Sequence, residues 1–149
     1  MSKRGSIYNT AAAALLASTA INYVSKSVSE DPFAYTEDRY PAVRIFDGAE
    51  TKERFCYPAT TDQLDMRSEL ELDFTAYARN FDKSTTGLND SLYDLLSKVE
   101  SVVVTDSTLL TYVMDITLDS ARTDMGYSEG IGWVSGTFRA VYLYNHTSP

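Results

Sequence analysis

The stretch RSELELDFTAYAR, Arg67 to Arg79, sets Glu69, Glu71 and Asp73 on one side of an alternating pattern. Leu70, Leu72, Phe74, Ala76 and Ala78 fall on the other. Residues i and i+2 of a strand point the same way, so neighbouring acids would stand about 6.5–7 Å apart. Carboxylates at that spacing suit general acid–base work. With Asp115 and Asp119 of a later strand alongside, they would also make an oxygen-rich cation site. A third reading needs no chemistry: an antiparallel sheet with one face on a core shows polar residues on the other. Such a face is also what a ring-forming subunit presents to a water-filled channel.

The remaining reactive residues favour the third reading. His146, the only histidine, stands three residues from the end of the sequence, in a tail expected to fray with Asn145–Pro149. No Ser-His-Asp or Cys-His arrangement can be built around it. Cys56, the only cysteine, sits among aromatics and reads as a small apolar filler. A single thiol allows neither an internal disulfide nor a multi-thiolate zinc site. Gly126, Gly130 and Gly132 lack phosphate-loop spacing and lead into a strand, not a helix. The expectation is a protein without catalytic residues, cofactor or metal. The net charge of −8 argues against holding nucleic acid by phosphate neutralisation, and no Lys/Arg cluster offsets it. An acidic surface does suit a passage through which DNA slides without sticking.

The elements that would position these residues follow from periodicity. The 149 residues, 44% hydrophobic and 23% charged, fit one domain with one core over 1–149. Residues 1–5 are expected to fray. Lys3 and Arg4 ahead of AAAALLASTA loosely imitate a secretory signal, but the alanine core is barely hydrophobic and the helical pattern runs on past the cleavage point. No run approaches the ~18–20 apolar residues that span a bilayer. A first helix is expected over Ser6–Val28, striped by Ile7, Ala11, Ala14, Ser18, Ile21, Ser25 and Val28. A polar connector, Ser29–Arg39, leads to a short strand, Ala42–Phe46. Asp47-Gly48 signals a turn, and Glu50–Tyr57 reads as a poorly patterned edge strand. The acidic strand follows, then a loop over Asn80–Gly87. Leu88, Leu92, Leu95, Leu96, Val99, Val102 and Val103 stripe a second helix over Leu88–Val102. Two long strands close the chain. In the first, Leu110, Tyr112, Met114, Ile116 and Leu118 share one face; in the second, Val134, Phe138, Ala140, Tyr142 and Tyr144 do. Their connection, Ser120–Gly132, is either a projecting loop or a strand extension with a wide turn. The order α-β-(β)-β-α-β-β is that of an α+β fold, a mainly antiparallel sheet with both helices on one face. Eleven tyrosines add to the odds of subunit contacts.

This layout resembles one family. An N-terminal helix precedes RYPAVRIF, then RSELELDFTAYAR, then LNDSLYDLLSKVESVV, then two long strands, a likeness that spans about Ser6 to Tyr144. It is similar to the tail terminator (tail completion) proteins of long-tailed bacteriophages, the lambda-like minor tail proteins. The resemblance implies a hexameric ring that caps the tail tube, meets tube and sheath subunits below and a head-side connector above, and lets DNA through unbound. It implies a place in the virion neck. The long alanine-rich helix and the irregular Glu50–Arg67 region depart from the family pattern. A head-tail adaptor, a stopper, or a ring protein of a contractile injection machine are the alternatives. On the ring reading Glu69, Glu71, Asp73, Asp115 and Asp119 face the lumen or a subunit seam. Arg122, Asp124, Tyr127 and Glu129, in the Ser120–Gly132 connection, would touch a neighbouring ring.

Overall fold

The computed structural model describes residues 2–27, 29–54, 65–79, 85–128 and 130–145, the side chains of 54, 65, 85, 86, 88, 123–128 and 145 aside. Cys56, Tyr57, Glu129 and His146 lie outside the described residues, as do 80–84 of the expected loop. The chain is α+β. Helix α1 (Lys3–Ala17) leads to β1 (Tyr23–Ser25), β2 (Ala42–Arg54) and β3 (Asp65–Arg79); α2 (Thr85–Thr105) and a one-turn α3 (Leu109–Tyr112) precede β4 (Asp115–Ser128) and β5 (Ile131–Asn145). The five strands run in the order β1-β2-β3-β5-β4. All pairings are antiparallel except β1 with β2.

The core lies between the sheet and helices α1 and α2. From the sheet it takes Val43 and Ile45, then Leu70, Leu72, Phe74, Ala76 and Ala78, then Val134, Phe138, Ala140, Tyr142 and Tyr144. Ile7, Ala11 and Leu15 of α1 and Leu92, Leu95, Val99 and Val103 of α2 close it. Alternation fixes the register, because a one-residue slip would turn each apolar set to water.

Three expectations need correction. Helix α1 stops at Ala17, far short of Val28. Ser18 is extended, and its Oγ accepts from Ala20 N at 3.3 Å, a local bond that competes with helix. Tyr23–Ser25 then pair in parallel with Ala42–Arg44. Asp47-Gly48 is no turn: β2 runs through it, and one extra residue bulges between Asp47 and Glu50. Alternation does not hold over Leu110–Met114. Asp106 Oδ2 accepts from Leu109 N at 2.8 Å and starts α3, burying Leu109 and leaving Leu110, Tyr112 and Met114 exposed. Of the two options for Ser120–Gly132, the structure takes the strand extension: β4 pairs with β5 as far as Ser128↔Ile131. Arg122, Asp124 and Tyr127 are therefore strand residues.

The connector is more than a linker. It folds over the face opposite the helices through two short 3-10 turns, Pro32–Ala34 and Glu37–Arg39. There Tyr35 and Tyr40 bury against Ala42, Tyr77 and Ile131. Phe33 stacks edge-on to Trp133 and Tyr77, at centroid distances of 5.3 and 6.2 Å. One end of that face is thus capped; at the acidic end Glu69, Glu71 and Asp73 are half-buried and Asp115 and Asp119 exposed.

Candidate functional site

The uncapped face is laid out by register. Cross-strand rows bring Glu69, Val141 and Asp115 together, then Glu71, Arg139 and Thr117, then Asp73, Thr137 and Ser120. The sequence-predicted acids share one face, but arginines stand among them. Arg67 Nη1 lies 2.7 Å from Glu69 Oε1 and 3.0 Å from Glu53 Oε1. Arg139 reaches Asp119 Oδ2 at 3.1 Å and Glu69 Oε2 at 3.9 Å. Asp73 Oδ1 accepts from Thr137 Oγ1 at 2.7 Å. Glu71 and Asp115 have no side-chain partner among the described residues.

This geometry bears on the cation reading. A guanidinium occupies the space between Glu69 and Asp119 that a cation would need. Among the described residues no three His, Cys, Asp or Glu side chains converge on one point. The face is a ladder of exposed ion pairs, each worth about 0.2–1 kcal/mol, with Glu71 and Asp115 left over. Beside it, Asp73, Thr75, Ser120, Arg122, Ser135 and Thr137 border a shallow groove of about 250 Å³.

A second polar constellation went unforeseen. Behind the bulge, β2 turns Glu50 and Lys52 to the helix side, opposite Leu70 and Ser68. The Glu50 carboxylate, 7% exposed, accepts from Arg4 Nη1 at 3.1 Å and from the Tyr142 hydroxyl. Arg4 also donates to Asp47 Oδ2 and to Gly48 O, both at 3.0 Å. The bonds to Asp47 raise the Arg4 pKa, with Glu50 adding to them. Burial, followed by the bond to Glu50, pushes the Tyr142 phenol upward. The clue in the sequence was Gly48. A Cβ there would come within 2.7 Å of Asp73 Oδ2, so the residue marks a bulge pressed against the neighbouring strand.

The tyrosines also read differently in place. Tyr35, Tyr40, Tyr77, Tyr142 and Tyr144 are buried within the chain. Tyr23 and Tyr35 both donate to Glu30, at 2.7 and 2.9 Å. Burial and Glu30 together push the Tyr35 phenol to about 12. Only Tyr93 and Tyr112 are exposed among the tyrosines with described side chains.

What fold and face define is an α+β domain with helices on one side of the sheet and a charged, partly capped surface on the other. Comparison with protein-family models and with curated proteins finds no match. Among the described residues no helix is long and apolar enough to cross a membrane.

Proposed function

We propose that this chain is a structural subunit of a bacteriophage neck. Copies close into a ring, with six subunits expected, that caps the tail tube and joins it to the head-side connector. DNA passes through the centre without specific binding, and the subunit performs no chemistry. The observation that carries this reading is the uncapped face, where arginine-braced carboxylates leave Glu71 and Asp115 turned outward with no partner among the described residues. A water-filled lumen is one place where such a face is useful, because a net acidic wall repels phosphate.

Glu71→Lys with Asp115→Lys reverses charge there without breaking an observed ion pair. Complementation of a phage that lacks the native protein tests it. Folded subunits, assembled rings and poor DNA delivery are expected. Normal infectious titre from the double variant would refute the lumen assignment, and imaging which ring touches the tail tube would separate terminator from adaptor.

A further inference from the structure

On the helix side, α1 leaves a gap against β1. Ala12, Ala13, Leu16 and Val24 wall a groove of about 230 Å³, with Asn9 and Lys26 at its rim. Leu16 is 62% exposed. Lys26 is the only charged residue of the groove. Its Nζ donates to Asn9 Oδ1 at 2.7 Å and lies 5.3 Å from the centre of the Tyr8 ring, which fixes the cation at the rim.

The outer surface of α2 is the counterpart. Asp90 lies one turn before both Tyr93 and Asp94, three and four residues away, and so neighbours each of them; all three are exposed. Tyr93 is 47% exposed, an aromatic knob beside the Asp90 carboxylate. A phenol has an apolar body and a polar tip, which matches a groove with aliphatic walls and a polar rim. The groove brings the Lys26 cation and no acid among its lining residues, while the outer face of α2 carries Asp90, Asp94 and Glu100 against Lys98. The groove and the outer face of α2 are therefore complementary in charge and in relief.

We propose that the α1–β1 groove receives Tyr93 of a second copy, with that copy's Asp90 and Asp94 meeting Lys26. Groove and knob are different surfaces, so every copy gives one contact and receives one. Such a contact repeats by rotation and closes into a ring when the rotation allows. The proposal rests on the ring reading and names its seam.

Native mass spectrometry and negative-stain microscopy of the full chain test it. Wild-type rings are expected. Lys26→Glu should lose them to monomer, and so should Asp90→Lys with Asp94→Lys. Combining all three reversals in one chain should restore them. Unchanged circular dichroism should accompany each variant, since all three positions are exposed. Rings that survive both charge reversals and Tyr93→Ala would overturn the seam and leave the ring reading standing. Wild-type chain that stays monomeric even with tail-tube subunits would overturn both.

Discussion

Gly136→Ala is the sharpest test of how the sheet is packed. Gly136 sits on β5 opposite Phe74 of β3 and Ala121 of β4. Its φ is not in the left-handed region, so alanine meets no backbone strain there. The obstacle is space. An added Cβ would stand 2.8 Å from Cε1 and Cζ of Phe74 and 2.9 Å from the carbonyl oxygen of Ser120. The ring is buried and packs against Phe138, 5.2 Å away between centroids, and the carbonyl belongs to the bulged segment of a neighbouring strand. Overpacking of this kind costs about 1–3 kcal/mol, and two rigid obstacles place it at the upper end. Alanine recovers about 0.4–1 kcal/mol through the unfolded chain. The net expectation is a loss of about 2 kcal/mol, or about 4–8 °C in Tm for a domain of this size. Urea unfolding should show a lower midpoint with an unchanged m value. Adding Phe74→Leu gives the ring's space to the new methyl, so the double variant should be less destabilised than the sum by about 1 kcal/mol. A Gly136→Ala protein within about 0.5 kcal/mol of wild type, or strict additivity with Phe74→Leu, would refute this account of the packing.

Three further outcomes follow from the same structure. Glu50→Ala leaves the buried Tyr142 hydroxyl without its acceptor, so a loss of about 1–3 kcal/mol is expected by urea unfolding, with faster amide exchange in the first turns of α1 as Arg4 loses a partner. Bonds from Tyr23, Ser25 and Tyr35 hold the Glu30 pKa below its ordinary 4.5. That stability is present above 4.5 and is lost as pH falls through the lowered value, so Glu30→Gln should flatten the acid side of the stability–pH curve; an unchanged acid limb would count against it. Tyr35 has its pKa raised from 10.0 to about 12, so its stabilisation is intact below pH 10 and lost as pH rises towards 12. Absorbance titration should find a class of phenols ionising well above pH 10 together with alkaline unfolding, and all tyrosines titrating near 10 in the folded protein would contradict the burial of this cluster.

Strands β3 and β5 and helix α2 were legible in the sequence because each has one uninterrupted period. Leu70 through Ala78 and Val134 through Tyr144 alternate, and Leu92, Leu95, Val99 and Val103 step by three and four. Where the chain departs from a single period, sequence reasoning failed for identifiable reasons. Asp-Gly stands in tight turns and in bulges alike, and only the register, Asp47 opposite Leu72 and then Glu50 opposite Leu70, shows which applies. Leu110, Tyr112 and Met114 alternate as a strand would, yet Leu109–Tyr112 form a helical turn whose Leu109 N–H is held by Asp106 Oδ2. The acids of the open face were visible; their partners were not. Arg139 lies about seventy residues from Glu71, and which side chain it stands beside depends on a strand register that periodicity alone does not number. The burial of Tyr142 was not legible for the same reason, since its acceptor Glu50 comes from a distant strand.

The Arg4 clasp has a consequence for where α1 can stop. A helix seated on alanines looks much the same one turn along, and a turn is only about 5.4 Å. Ile7 and Leu15 mark the seat, but Ala11 and Ala12 between them offer little relief to tell one axial position from the next. Arg4 supplies an index mark, together with the Tyr8 hydroxyl, which donates to Ile45 O at 2.9 Å. The planar fork of Arg4 meets two carboxylates and a carbonyl at the bulge, a set of acceptors that a shifted helix would not find again. One ionic peg and one phenol thus set the sliding coordinate of a rod whose alanine seat alone would leave it loosely indexed.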